Sequence, residues 1–197
     1  MSQDSGWGSY YEKLRDRPPR KTVIAALDAF GERTDALAVD LGCGDGRDVV
    51  EILRRGWKVV AVDAEPEALK RLAERKLSGD DRITPIVSRF EDVPMPIGVE
   101  LVNSSFAMPL CEPERFHELW ARIVEALPPG GRFSGQWYGP HDSWVDRPGI
   151  TFLSRDEAQA LLVGFDVEMF DEEEADSTTP RGKPKHWHIF HIVARKR

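Results

Sequence analysis

Val39-Asp40-Leu41-Gly42-Cys43-Gly44-Asp45-Gly46-Arg47 decides the fold of this chain. An apolar run from Ala36 to Leu41 reads as a buried strand. It breaks into three alternate glycines, and a helical pattern follows from Gly46 to Arg55. Glycines at such a turn accept left-handed backbone and let a ligand lie against bare main chain. A second apolar run, Lys58 to Asp63, ends on an acidic residue about 20 positions beyond the turn, where nucleotide-binding sheets place the acceptor for a ribose diol. The glycine spacing separates two ligand classes. Dinucleotide sites use G-x-G-x-x-G/A, whereas Gly42, Gly44 and Gly46 fall as G-x-G-x-G, with Arg47 where a small residue would pack helix on strand. Asp40, just ahead of the turn, would repel a pyrophosphate and suits a cationic group such as the amino group of an amino-acid tail. These residues favour a nucleoside with a zwitterionic tail.

Working outward, apolar runs alternate with helical segments, which predicts a mostly parallel sheet covered by helices on both faces. Arg20–Phe30, Gly46–Arg55, Glu65–Leu77, Pro113–Leu127 and Ser154–Val163 read as helices; in the last, Ser154 and Glu157 form a capping box. Strands are expected at Ala36–Leu41, Lys58–Asp63, Ile83–Val87, Val99–Asn103, Arg132–Trp137, Phe165–Phe170 and Trp187–Ala194. Tyr138–Ile150 reads as a loop rich in Gly, Pro, His and Trp, and the polar stretch Glu172–Lys185 as a mobile one. With no helix between them, the last two strands predict an antiparallel ending. The fold class is therefore α/β: a Rossmann-like seven-stranded sheet, mostly parallel, with an antiparallel last strand.

The 197 residues suit one α/β domain, and the formal charge of −7 disfavours a general nucleic-acid binder, which needs a basic face. No stretch approaches the ~20 apolar residues of a membrane span, and no secretory signal is evident at Met1. Cys43 and Cys111 are too few for a disulfide framework and read as reduced thiols of a cytoplasmic protein.

The segment Asp40–Arg47 resembles motif I of class I S-adenosylmethionine-dependent methyltransferases. Val62-Asp63, Asp92–Pro96, Glu100–Phe106 and Leu127–Phe133 follow in that family's order. Within the class, Arg55–Asp63, the short length and the ending Ile192–Lys196 are similar to the small tellurite-resistance and thiopurine methyltransferases. The resemblance covers residues 20–197 as a single domain and leaves 1–19 as an N-terminal lid. It implies S-adenosyl-L-methionine as cofactor. Asp40, Gly42, Cys43, Gly44 and Gly46 would surround its methionine part, Asp63 would accept from the ribose hydroxyls, and Ala64 would lie against the adenine. The family's usual aspartate after strand three is replaced by Arg89, which passes the adenine contact to Phe90 and Glu91. Asn103 and Ser104 would line the cofactor beneath the sulfonium.

An acceptor site is expected between Trp7 and Tyr11 of the lid and Tyr138, His141 and Trp144 after strand five, because open α/β sheets bind ligands at their carboxyl edge. His141 reads equally as a proton acceptor or as a surface histidine. His186 and His188 share one strand face, but no cysteine or carboxylate accompanies them at fixed spacing, so no metal centre is expected. A small-molecule acceptor is the leading reading. A non-catalytic S-adenosylmethionine-binding protein and an RNA or protein methyltransferase remain the alternatives. Residue types do not specify the acceptor, and they leave the oligomeric state open.

Overall fold

A computed structural model of the chain describes residues 17–179 and 182–197. The first helix among the described residues, α1 (Lys21–Phe30), stops at Gly31, whose left-handed φ of 70° releases the chain toward the sheet. Strand β1 (Leu37–Leu41) runs through the glycine turn into α2 (Val49–Arg54). This helix starts three residues later than the sequence predicts, because Gly46 holds φ +87° and cannot open it. Strand β2 (Lys58–Asp63) leads to α3 (Pro66–Glu74), which has Pro66 in its first turn, where a missing N–H costs nothing. Strands β3 (Ile83–Val87) and β4 (Val99–Ser104) follow, then α4 (Pro113–Ala126), β5 (Arg132–Tyr138) and α5 (Arg155–Leu161). The capping box of Ser154 and Glu157 is present in full.

The chain ends in β6 (Phe165–Thr178) and β7 (Pro184–Lys196). The seven strands are ordered β3-β2-β1-β4-β5-β7-β6, and β7 inserts antiparallel to both β5 and β6, as the Rossmann-like reading requires. One apolar core packs α4 and α5 on one sheet face, with Phe116, Trp120, Phe133, Trp137 and Phe190 at its centre. The other packs α1 and α2 on the opposite face around Val23, Leu27, Ile52 and Trp57. No helix among the described residues is long and apolar enough to cross a membrane.

The expectation for Glu172–Lys185 is corrected. Glu172–Thr178 and Pro184–Lys185 are not irregular but belong to the two arms of a long hairpin, paired from Phe165↔Lys196 out to Thr178↔Pro184. Both faces of its outer end are polar, so the apolar alternation that marks a half-buried strand is missing there. The lid expected over residues 1–19, with Trp7 and Tyr11, lies almost wholly outside the described residues.

Candidate functional site

The glycine turn is built by close approach. Gly42 and Cys43 donate to the carbonyl of Val62 at 2.8 and 2.9 Å, which ties the turn to the end of β2. A Cβ on Gly42 (φ +74°) would stand 2.2 Å from Cβ of Ala107, and one on Gly46 (φ +87°) would stand 2.3 Å from Cδ1 of Leu72 on α3. Ala107 belongs to the turn after β4, so bare backbone at Gly42 brings the β1 and β4 ends together. Asp63 closes β2. One carboxylate oxygen accepts from the N–H of Gly44 at 2.8 Å, and the other from that of Glu65 at 2.9 Å.

These pieces wall a cavity of about 350 Å³ at the carboxyl edge of β1, β2 and β4. Asp40, Gly42, Cys43, Gly44, Asp63, Ala64, Phe90 and Glu91 line it, so the structure brings together most of the side chains predicted to hold a cofactor. Gly46 shapes the turn without reaching the wall. Asn103 and Ser104 also stay out of the wall, both fully buried beneath it. Asn103 binds Asp40 and Asp48, Ser104 Oγ donates to the carbonyl of Leu41, and the wall passes instead to Ser105, Phe106 and Ala107. Sequence reasoning missed Arg20, Asp45, Arg47, Asp48, Glu65 and Leu110, which also line the cavity. Arg20 donates its backbone N–H to Asp48 at 2.8 Å and lays its guanidinium over the Phe106 ring, 4.2 Å from the centroid. The signal for Asp48 was its place one turn beyond Gly44; nothing local pointed to Arg20.

The wall is acidic, with Asp40, Asp45, Asp48, Asp63, Glu65 and Glu91 set against Arg20, Arg47 and Arg89. Burial, then repulsion from Asp48, pushes the Asp40 carboxyl well above the carboxylate range, and the Asn103 amide offsets only part of this. Burial also raises Asp63, against the backbone N–H groups of Glu65 and Gly44. Glu91 is different: burial pushes it up, but the Arg89 guanidinium and backbone hydrogen bonds hold it below its ordinary value. Its carboxylate is already bound to Arg89 at 2.8 Å, so Phe90 offers the freer surface for an adenine ring. Burial drives the Cys43 thiol well above its usual pKa and that of Cys111 up to about 12, so neither is a thiolate nucleophile at neutral pH.

Beyond Phe106 stands an aromatic group. Its ring centroid lies 6.4 Å from Tyr138 and 6.2 Å from Trp187, and Trp144 is 6.3 Å from Tyr138 and 5.7 Å from Trp187. Phe106 holds φ +58°, an uncommon backbone state for a bulky residue, and its N–H is fixed by Gln136 at 3.1 Å. Lys185 is buried among these rings, 4.0 Å from the Trp144 centroid and 4.2 Å from that of Trp187, and is ion-paired to buried Asp142. Trp137 points the other way, into the apolar core.

His141 does not join this group. Successive strand residues face opposite sides. Trp187 faces Phe106, and His188 faces away with His141 stacked on it, ring centroids 4.8 Å apart. His141 is mostly exposed and pairs with Glu174, not with the cavity. His186 likewise turns to Asp176 and Glu174, at 2.8 and 3.2 Å, and not to a substrate mouth.

The methyltransferase domain family matches residues 38–131, the stretch that carries the cavity from β1 to the end of the α4–β5 turn. No curated protein matches the sequence. Among solved structures, TehB from Haemophilus influenzae superposes with a TM-score of 0.76 at 16% identity, over 95% of this chain and 66% of that one. The 1,6-didemethyltoxoflavin-N1-methyltransferase of Burkholderia thailandensis, with 1,6-didemethyltoxoflavin and S-adenosylhomocysteine bound, gives 0.67 at 22% identity over 98% of this chain and 86% of that one. Magnesium protoporphyrin IX methyltransferase from Synechocystis PCC 6803, with S-adenosylmethionine bound, gives 0.71 at 14% identity over 98% and 92%. This chain spans 66% of the length of TehB.

Proposed function

We propose that the chain is a class I S-adenosylmethionine-dependent methyltransferase and that it methylates a small-molecule acceptor that approaches from the aromatic group beyond Phe106. The observation that carries the reading is the acidic cavity itself. A bare glycine turn faces Asp40 on one side and Asp63 on the other, and the wall has more carboxylates than guanidiniums. A volume near 350 Å³ falls in the range of small-molecule sites. The donor set fits a cationic nucleoside and would repel a pyrophosphate.

When bound, the cofactor supplies an already activated methyl group. The chain's own residues supply binding, alignment and exclusion of water. Asp40 is placed to receive the amino group of the methionine tail. Asp63, its carboxylate fixed by Gly44 and Glu65, is placed to accept from the ribose hydroxyls. Phe90 offers a face to the adenine. Ser105, Phe106 and Ala107 form the wall nearest the aromatic group, which orients the transfer toward Tyr138, Trp144 and Trp187. An acceptor held by these few side chains is small. The similar structures include a 1,6-didemethyltoxoflavin-N1-methyltransferase and a magnesium protoporphyrin IX methyltransferase, and an aromatic wall here would suit a small ring-bearing acceptor.

Calorimetric titration with S-adenosylmethionine, S-adenosylhomocysteine and NAD tests the first half of this reading. The two adenosyl compounds should bind and NAD should not. A methyl-transfer assay over a panel of small aromatic and heterocyclic acceptors tests the second half. Binding without turnover of any acceptor, together with methylation of an RNA or protein fraction, would reject the small-molecule reading.

A further inference from the structure

Of the five histidines in the chain, three meet on the outer face of the β6–β7 hairpin. The pairing places Glu174 opposite His188 and Asp176 opposite His186, and the loop after β5 lays His141 on top of them. Ligand atoms of His141, Glu174 and His188 all lie within 4.8 Å of one another. We propose that these three residues bind a divalent transition ion of the zinc type. The site stands apart from the cofactor cavity and from the aromatic group, and does not depend on the acceptor.

The tautomer of His188 supports this reading. Its Nδ1 accepts the backbone N–H of His141 at 3.1 Å, so the neutral ring carries its proton on Nε2, which faces Glu172 Oε1 at 2.9 Å. Glu172 is held in turn by Arg155. A metal-ligating histidine likewise donates from one nitrogen to an anchored carboxylate and keeps the other unprotonated. The ion would take the place of the His141 N–H at Nδ1. Spacing agrees as well. With metal–ligand bonds of about 2.0–2.1 Å in a tetrahedron, neighbouring ligand atoms sit roughly 3.3–3.4 Å apart. His141 Nδ1 and Glu174 Oε2 are already 3.2 Å apart. The remaining closure falls to the exposed side chains of His141 and Glu174, which would exchange their present contacts for the ion, while buried His188 stays fixed. Two imidazoles and one carboxylate leave the fourth position to water, and His186, 3.2 Å from Glu174 Oε1, stands beside it. The surrounding Glu172 and Asp176 supply negative charge toward a dication. Such an ion would pin the loop carrying Asp142 and Trp144 to the hairpin.

The test uses the full chain, treated with chelator and titrated with Co²⁺. One equivalent should bind with the visible absorption of a four-coordinate site, and Zn²⁺ should displace it and raise the melting temperature. Glu174→Gln and His141→Gln change exposed side chains and leave the fold intact; each should weaken Co²⁺ binding by at least about tenfold, and Glu172→Gln, which frees the His188 ring, by about 10- to 100-fold. His117→Gln, on the exposed side of α4, should bind as the parent does. The proposal is overturned if no stoichiometric Co²⁺ absorption develops, or if Glu174→Gln and His141→Gln bind the ion as tightly as the parent.

Discussion

Asn103 donates from Nδ2 to Asp40 at 2.8 Å, and the same nitrogen lies 3.2 Å from Asp48, so a single buried amide bridges two carboxylates under the cavity. Its carbonyl is held by Ser134 Oγ at 2.7 Å. The amide cannot turn without losing all three bonds. Asp40 is therefore presented to the cavity in one orientation, with a pKa raised by burial and by Asp48.

That pKa sets a pH dependence for cofactor binding. In the ligand-free protein a raised Asp40 holds its proton above the ordinary carboxylate range. A cationic amino group favours the ionised form, so binding expels the proton, and affinity for S-adenosylmethionine should rise with pH until the raised pKa is passed. The stability sign is the opposite for the free protein. A folded pKa above the unfolded one gives a contribution present at low pH that is lost as pH rises through the folded value. The bound cofactor should cancel that loss. Calorimetry in two buffers of different ionisation heat should show net proton release, and a flat affinity between about pH 5 and 8 would remove Asp40 from this role.

Asp63 holds the turn and, in the proposed function, also the ribose. Asp63→Ala should weaken cofactor binding by about 1–3 kcal/mol, from lost charge-assisted hydrogen bonds. Because Gly44 and Glu65 lose their acceptor as well, the ligand-free melting temperature should also fall. Affinity unchanged in a folded Asp63→Ala protein would take the ribose contact away from this residue.

Asp40, Gly42, Gly44 and Asp63 were legible in the sequence because the chemistry of the site lies in local backbone: a strand end, a turn of positive φ, and the end of the next strand. The β4 side was legible only in outline. Asn103 and Ser104 were assigned to the wall because they end a strand, but strand-end residues that face inward satisfy buried neighbours, and the chain must turn at Phe106 before it reaches the cavity. Arg20 and Trp187 reach the site area from distant parts of the sequence, through packing that no local pattern encodes. The hairpin was missed for a related reason. Asp171 to Glu174 are four acidic residues in a row on the exposed arm of β6, so neither charge nor hydrophobicity alternates there. Once that hairpin is in place, the carboxylates that seemed missing beside His186 and His188 stand directly opposite them.

Lys185 and Asp142 form a buried ion pair that closes the aromatic group from below. Burial pushes the lysine pKa down and the Asp142 carboxylate pulls it back only in part. Removing one partner leaves an uncompensated charge in a low-dielectric site, which typically costs about 3–5 kcal/mol. Asp142→Ala should destabilise the protein by that order and also free the Trp144 N–H, bound at 2.9 Å. The double replacement Asp142→Leu with Lys185→Met should recover most of the loss. Denaturant unfolding of the two variants separates these outcomes, and a single replacement that costs nothing would show that the pair is dispensable.

The acceptor pocket yields the last prediction. A methyl group carried over the glycine turn must leave the cavity away from Gly42, and the wall on that side is Ser105 to Ala107. Phe106 touches both sides of it, lining the cavity and packing against Tyr138 and Trp187. Trp187 and Trp144 are half-buried and present ring surface beside it, whereas Tyr138 is buried and supports them. None of these three contributes to the cavity wall, so their loss should spare the cofactor. Trp187→Ala and Trp144→Ala should each leave S-adenosylhomocysteine affinity within about twofold of the parent, while lowering kcat/KM for an acceptor found in the panel by about tenfold or more, since alignment of the acceptor is the larger part of this catalysis. A fall in KM-dependent terms alone would mark simple binding contacts, and a fall in kcat would mark control of the approach geometry. If both variants transfer methyl groups at the parent rate, the acceptor enters by another side of the cavity and the aromatic group is structural.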